Sequence, residues 1–356
     1  MSAEAFPDLP PFPNDVPTAP LLRLSLARLL SRDPVEFNRF CNACEDVGFF
    51  YLDLRGEPNI GSPILQHADQ MFRLGEYLFN LDLEEKQKYD FSAKNSYFGY
   101  KGYGKNIVDK DGNTDRNEFY NISKDDIFEI SDPLPAPDLL TEHRLLTKNF
   151  MSNAHSIVLL VLELLNEHLQ LAPSILTDMH RIYEPAGDQV RIVKAPPQPS
   201  DDRRTAMGQH TDFGSVTVLF NRVGGLQILP PGEQAEWCYV KPLPGHAIIN
   251  LGDALVKFTN GLLRSNIHRV ISPPGEQASV TRYSLVYFSR PEDAVMLKRL
   301  EGSSRIPPLE QGVVEEEICS KDWVLRRGLG GRINLHKNID YDKNRGTEMQ
   351  SRRIKV

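Results

Sequence analysis

Apolar positions recur at helical spacing through most of the first half of the chain. Val35, Phe37, Phe40, Cys41 and Cys44 lie on one helical face, opened by Asp33-Pro34 and stopped at Gly48. An aspartate cap with proline at the first helical position, closed by glycine, brackets a helix. The aromatic run Phe49-Phe50-Tyr51-Leu52 then reads as a strand. Ser62-Pro63 predicts a second helix through Phe79, Leu83 to Tyr89 a third, and Leu139 to Leu169 one long amphipathic helix.

The texture changes near Gln189. Short apolar runs separated by Gly, Pro and Asn follow one another: Val190 to Val193, Val216 to Phe220, Leu226 to Leu229, Trp237 to Val240, Ala247 to Leu251, Val270 to Ser272 and Arg282 to Phe288. Many short strands with turn signals between them predict an antiparallel sandwich or barrel. The expected fold is therefore mixed α and β, a jelly-roll (double-stranded β-helix) core with a helical N-terminal portion packed around it. The expected regions are 1–175, mainly helical, 176–300, the jelly roll, and 301–356, a C-terminal extension whose tail after Gly328 is rich in Gly, Asn, Arg and Lys.

Composition narrows the class. With 356 residues, 40% hydrophobic and 25% charged, the chain can bury a substantial core. Its 41 basic and 48 acidic residues give a net charge of −7, which argues against a nucleic-acid partner needing a basic face. Four cysteines (Cys41, Cys44, Cys238, Cys319) are too few and scattered for a disulfide framework and suit a reducing compartment. The N-terminus lacks the basic and apolar segments of an export signal, and the apolar run Ile157 to Leu165 is shorter than a bilayer span. The expectation is a cytoplasmic protein with no membrane partner. The basic C-terminal Arg-Arg-Ile-Lys-Val is expected to be a solvated tail.

Two stretches carry candidate chemistry. In an extended segment residues i and i+2 share a face, so His210 and Asp212 can reach one metal ion, with His268 as a third ligand from a later strand. Two histidines and one carboxylate with open positions suit non-haem Fe(II) and oxygen. A second triplet, His67-Ala68-Asp69, falls on a predicted helix, where i and i+2 are about 200° apart, and is expected to be structural. Arg282 and Ser284 again share a strand face, and a guanidinium beside a hydroxyl is a receptor for a carboxylate. Cys41 and Cys44 lie on an apolar helical face without a second pair, and His155 and His246 have no chelating neighbour, so all four are expected to pack rather than bind.

These residues stand in an ordered series. It runs Cys44-Glu45-Asp46-Val47-Gly48-Phe49-Phe50, Leu83 to Tyr89, Gly102-Tyr103-Gly104, His210-Thr211-Asp212 and Gly224-Gly225-Leu226-Gln227. It continues with Lys241-Pro242-Leu243-Pro244-Gly245, Asn250-Leu251-Gly252-Asp253, Thr259-Asn260-Gly261, His268-Arg269-Val270 and Arg282-Tyr283-Ser284. Over most of its length the chain resembles the isopenicillin N synthase-like family of Fe(II)- and 2-oxoglutarate-dependent dioxygenases. The resemblance implies His210, Asp212 and His268 as iron ligands, and Arg282 and Ser284 as the grip on the distal carboxylate of 2-oxoglutarate. It also implies O₂ as co-reactant, with ascorbate as a candidate reductant. Succinate and CO₂ would accompany oxidation of a substrate C–H bond by hydroxylation, desaturation or ring formation.

The chain departs from the family in two places. Where many members have Asn-Tyr-Tyr-Pro, it has Val193-Lys194-Ala195-Pro196, which leaves Lys194 as the candidate replacement for a tyrosine contacting the cosubstrate. The usual Asn-His-Gly after Gly-Phe-Phe is replaced by Leu54-Arg55-Gly56, read as a structural change. Phe119, Phe213 and Phe288 stand where family members line the substrate pocket, and the same aromatics could be plain core. An aromatic pocket would favour a small hydrophobic natural-product intermediate, with a nucleobase as the alternative. Two further readings stay open: an oxidase of the same fold that uses no 2-oxoglutarate, separable by succinate stoichiometry, and a non-catalytic binding protein, against which the intact metal and carboxylate positions argue.

Overall fold

The computed structural model describes residues 6–109, 111–199, 203, 205–232, 234–329 and 346. In chain order the first elements are β1 (Arg23–Ser25), α1 (Leu26–Leu30), α2 (Pro34–Asp46), β2 (Phe49–Asp53), α3 (Gly61–Phe79) and α4 (Leu83–Gln87). Next come β3 (Gly99–Lys101), β4 (Glu118–Ser123), α5 (Lys124–Ile127), α6 (Asp138–Glu142) and α7 (Arg144–His168). The strand-rich part holds β5 (Gln189–Ala195), β6 (Met207–His210), β7 (Val216–Asn221), β8 (Leu226–Ile228), β9 (Cys238–Tyr239) and β10 (His246–Leu251). It closes with α8 (Asp253–Phe258), β11 (His268–Val270), β12 (Arg282–Ser289) and α9 (Ser320–Leu329). The expected C-terminal tail beyond Gly328, including its basic end, lies almost wholly outside the described residues.

Two sheets form the jelly roll. The larger has the order β1-β2-β10-β7-β12-β5-β4-β3, and the smaller β6-β11-β8-β9; every pairing except β1 with β2 is antiparallel. The central strands of the larger sheet are buried on both faces, which explains their nearly unbroken apolar sequences. On β7 and β12, Val216, Val218, Phe220, Leu285 and Tyr287 pack into the main core. Their neighbours Leu219 and Val286 enter a second cluster with Leu226 and Ile228 of the smaller sheet. One face thus belongs to the helices and the other to the space between the sheets.

The helical half is tied into the larger sheet, because β1 to β4, all within the first 175 residues, supply four of its eight strands. Of these only β2 is foreshadowed by the apolar pattern. Gly75 lets α3 lie on β5: a Cβ there would stand 2.6 Å from Ile192 Cγ2. α7 is long and apolar enough to cross a membrane by length and composition. Here Phe150, Ile157, Val161 and Leu165 are buried in the main core.

Several boundaries differ from expectation. Asp33 caps α2 as predicted, its side chain accepting from the Glu36 amide. At the other end Gly48 has φ +69°, and a Cβ would meet the Arg264 carbonyl at 2.0 Å, so the stop is imposed by a neighbouring loop. Helix α3 begins at Gly61, and its cap is the Glu57 carboxylate, which takes hydrogen bonds from the Asn59, Ile60 and Gly61 amides, in place of Ser62. The long helix is interrupted at His143, whose backbone leaves the helical region and whose Nδ1 lies 2.8 Å from the Leu139 carbonyl. The strand expected at Val270 to Ser272 instead comprises His268–Val270.

Candidate active site

β6 ends at His210, the chain turns through Asp212, and β11 starts at His268, which pairs with His210 across the smaller sheet. This register brings distant positions together. One ligand atom from each of His210, Asp212 and His268 lies within 4.8 Å of the others, close enough for one metal ion. Asp212 Oδ1 stands 4.0 Å from His210 Nε2 and 3.8 Å from His268 Nε2.

The surrounding bonds orient each ligand. His210 Nδ1 donates to the Gly208 carbonyl at 2.8 Å and His268 Nδ1 to the Asn266 carbonyl at 3.1 Å, a tautomer with the lone pair on Nε2. Asp212 Oδ2 accepts from Thr217 Oγ1 at 2.6 Å and Asn250 Nδ2 at 2.7 Å, which directs Oδ1 toward the histidines. Burial pushes the Asp212 carboxyl up, but His268, His210 and these two hydrogen bonds outweigh it and hold the group below its ordinary value. The Phe49 ring lies edge-on to His268, with centroids 5.4 Å apart.

A second layer fixes the turn. A Cβ on Gly252 would stand 2.3 Å from the Gly214 carbonyl oxygen, so the α8 start can approach the metal loop only as glycine. The Asp253 amide donates to the Asp212 carbonyl at 2.8 Å. The Asp253 carboxylate accepts from Thr211 Oγ1 at 2.9 Å and from Arg327 Nη1 at 2.8 Å, which ties α9 to the site.

Beside this cluster a pocket opens between the sheets. Arg282, Ser284, Val286 and Phe288 line it from alternate positions of β12. Arg282 is only 3% exposed; its Nε donates to the Gly224 carbonyl at 2.8 Å and its Nη1 to Ser284 Oγ at 2.5 Å. Among the described residues no carboxylate pairs with it, and burial alone pulls its pKa down to about 10. A buried guanidinium without a counter-charge is costly. A guanidinium and a hydroxyl side by side on a cavity wall therefore make a site for an anion.

The remaining candidates divide. Phe288 lines the pocket. Phe119 lies opposite Val193 on the pocket side of β4, but its ring is packed 4.2 Å from the Arg191 guanidinium and 4.9 Å from Lys101 Nζ rather than lining the cavity. Phe213 packs against the main core between Arg290 and Arg327, 5.0 and 5.7 Å from their guanidinium carbons. Lys194 does not reach the pocket. Strand alternation sends it to the opposite face from Val193 and Ala195, where its Nζ lies 3.7 Å from Glu118 Oε1. The decoy pair is split as its helix requires, His67 facing Asn153 and Asp69 bonding Arg222.

Phe49, Thr217, Asn250, Asn117 and Arg191 also belong to this region, and sequence reasoning misses them. Their spacing carries no chemical signature, since each arrives from a different strand or loop. The sequence Asn250-Leu251-Gly252-Asp253 is visible as a family match without a role.

Comparison with known proteins bears on both halves. Residues 186–291 match the 2OG-Fe(II) oxygenase superfamily, and residues 19–143 the N-terminal region described as non-haem dioxygenase in morphine synthesis. A 2-oxoglutarate-dependent dioxygenase of Aspergillus fumigatus is 36% identical, over 88% of this chain and 86% of that protein. The 2-oxoglutarate-dependent dioxygenase frbH of a Dothideomycetidae species is 32% identical, over 86% of this chain and 89% of that protein. Among solved structures, a full-length Neurospora crassa protein in complex with alpha-KG and thymine superposes with a TM-score of 0.72 at 21% identity, covering 86% of this chain and 96% of the other.

Proposed function

Because the chain belongs to the family of Fe(II)- and 2-oxoglutarate-dependent dioxygenases, which use Fe(II), 2-oxoglutarate and O₂, we propose the following division of labour. His210, Asp212 and His268 hold the iron, and Arg282 and Ser284 hold the distal carboxylate of 2-oxoglutarate. The reading is carried by one observation: three converging ligand atoms share a cavity with a buried guanidinium that has no carboxylate partner among the described residues.

When bound, iron supplies activation of O₂, so that 2-oxoglutarate, O₂ and substrate R–H give succinate, CO₂ and R–OH, or a desaturated or cyclised product with water. The chain's own residues orient. Thr217 and Asn250 fix the Asp212 rotamer, and the Nδ1 bonds fix both imidazole planes. Arg282 holds the cosubstrate by its far end with a planar fork. Val193, Leu219 and Val286 give the pocket apolar walls. Such walls exclude water and favour a small hydrophobic molecule.

The substrate we favour is a natural-product intermediate handled in the cytoplasm, supported by the description of the N-terminal family match. A nucleobase, as in the thymine complex of the Neurospora protein, is the alternative. Anaerobic titration of 2-oxoglutarate into Fe(II)-loaded protein should give the metal-to-ligand absorption of a chelate, and admission of O₂ should release succinate. Product formed without succinate would replace this reading by a 2-oxoglutarate-independent oxidase.

A further inference from the structure

The carbonyls of the metal loop from Thr211 to Gly214 are each held from outside the loop, and two elements share the task. The first turn of α8 takes the even positions: the Asp253 amide donates to the Asp212 carbonyl at 2.8 Å and the Ala254 amide to the Gly214 carbonyl at 3.0 Å. Side chains of α9 take the odd ones: Arg327 Nη2 donates to the Thr211 carbonyl at 3.2 Å and Trp323 Nε1 to the Phe213 carbonyl at 2.9 Å. The residues on either side of Asp212 are therefore anchored by a helix that follows it by more than a hundred positions.

Trp323 and Arg327 stand one helical turn apart on α9 and so share a face. Both are buried, while Lys321, Asp322 and Arg326 of the same helix are exposed. Packing alone does not call for either side chain. A buried indole must find an acceptor for its N–H, which a phenylalanine would not need. Arg327 Nη1 meets Asp253 Oδ2 at 2.8 Å with the two side chains 3% and 0% exposed, and such a buried pair gains little over apolar residues of the same volume. What the guanidinium does supply is a planar fork, with Nη1 on the Asp253 carboxylate and Nη2 on the Thr211 carbonyl. The same Asp253 Oδ2 accepts from Thr211 Oγ1 at 2.9 Å, which closes a ring through Thr211, Asp253 and Arg327. Helix α9 lies outside both stretches that match the family, 19–143 and 186–291.

Thr217 and Asn250 fix the Asp212 carboxylate, but a side chain held only at its tip still moves with its own Cα. The backbone of a residue is set once the peptide planes on both sides of it are set. Arg327 holds the Thr211–Asp212 plane, the Asp253 amide the Asp212–Phe213 plane, and Trp323 the plane after that. We propose that Trp323 and Arg327 are positioning residues for Asp212, and that α9 locks the backbone from which this ligand reaches the metal. The proposal rests on the reading of Asp212 as an iron ligand and deepens it: the C-terminal extension is a working part of the metal site.

Mn(II) binding to the whole protein tests this, with free Mn(II) measured by electron paramagnetic resonance and the melting temperature of the metal-free protein recorded alongside. Trp323→Phe, which keeps a ring but loses the N–H, and Arg327→Met should each weaken Mn(II) severalfold, and the double variant by about 10–100-fold, as when other groups that orient a ligand are removed. Arg327→Lys should recover only part of that affinity, since an ammonium keeps the charge without the planar fork. Val324→Ala is the control: Val324 is buried on the same helix and its side chain has no donor for the loop, so the variant should melt lower with its Mn(II) Kd unchanged. An unchanged Mn(II) Kd in Trp323→Phe and in the double variant, or an equal weakening in Val324→Ala, would overturn the proposal. Should Arg327→Met fail to fold, Trp323→Phe against Val324→Ala decides. Asp212→Ala separates the two readings. Mn(II) held there at the original affinity refutes Asp212 as a ligand, whereas Mn(II) lost there and kept by the α9 variants refutes only the role of α9.

Discussion

The two faces of the larger sheet are built from the same strands and answer opposite demands. On the helix-packed face, Tyr287 is fully buried and its hydroxyl donates to Asp188 Oδ2 at 2.7 Å, with His155 Nδ1 3.1 Å away. His180 behaves alike, its ring nitrogens meeting the Leu176 carbonyl at 2.6 Å and Ser215 Oγ at 2.7 Å. On the other face, Arg282 is buried without any carboxylate on its guanidinium among the described residues. Tyr287 and His180 are satisfied within the fold, although His155 Nε2 beside them has no partner among the described residues; Arg282, by contrast, keeps a full charge without a counter-charge, as a residue that recognises a ligand would. The contrast separates core from site more sharply than burial does, since Tyr287 and Arg282 are both buried.

The largest break comes at the metal. Asp212→Ala, His210→Ala or His268→Ala should each abolish Fe(II) retention and turnover, measured by metal analysis and succinate release, because three ligands are the minimum for such a centre. His67→Ala and Asp69→Ala should retain full iron content. Full iron content in Asp212→Ala would refute the ligand assignment.

Next come truncations on either side of one strand. Leu285→Ala, on the helix face, should cost about 2–5 kcal/mol of stability, read as a lower denaturation midpoint with the KM for 2-oxoglutarate unchanged in the folded fraction. Arg282→Ala, on the pocket face, should do the reverse: weaken 2-oxoglutarate by about 2–5 kcal/mol with little loss of stability. Arg282→Lys should recover only part of the affinity, since an ammonium lacks the planar fork. If Arg282→Ala melted the protein and Leu285→Ala raised KM, the assignment of faces would be reversed.

Acid stability probes the packed face. Burial pulls the His180 pKa down to about 4 from an ordinary 6.5. Between those values the unfolded chain holds the proton and the folded protein does not, so stability falls as pH drops from about 6.5 to 4, by on the order of 3 kcal/mol. His180→Asn should flatten this limb of the stability curve; an unchanged slope by urea titration at pH 4.5 and 7 would remove His180 as its source.

The smallest effect is expected from Thr217→Val, which removes the hydroxyl that positions Asp212 while keeping shape. Loss of one such bond to a buried carboxylate should weaken metal about 10–100-fold. Competition with a chelator measures it, with the melting temperature of the metal-free protein as control. An unaltered metal Kd would show that Asn250 alone suffices.

Much of this is legible in the chain. The jelly roll follows from the spacing of short apolar runs, and the Arg282–Ser284 pair follows from period-two spacing on β12, whereas Asp212 lies two residues past the end of β6. The strands β1, β3, β4 and β6 escape such a reading because they are short or mixed in polarity, and they exist through pairing with partners far away in sequence. Local periodicity holds no record of such partners. Lys194 errs in the opposite way: a match to a family motif puts it at the cosubstrate, while strand alternation points it to the far side of β5.

By itself the sequence determined which side chains can share a face, and so made His210 and Asp212, or Arg282 and Ser284, candidate pairs while disqualifying His67 and Asp69. The sequence offered His268 as a third ligand, and the tertiary structure brings it beside that pair through the β6–β11 register. It also decided that Thr217 and Asn250 hold Asp212, and that Arg290 Nε and Nη1 are buried beside three aromatic rings without a hydrogen-bond partner among the described residues. The physical reason is that periodicity acts within one element, whereas charge pairing and desolvation depend on what other elements bring to the same few ångströms.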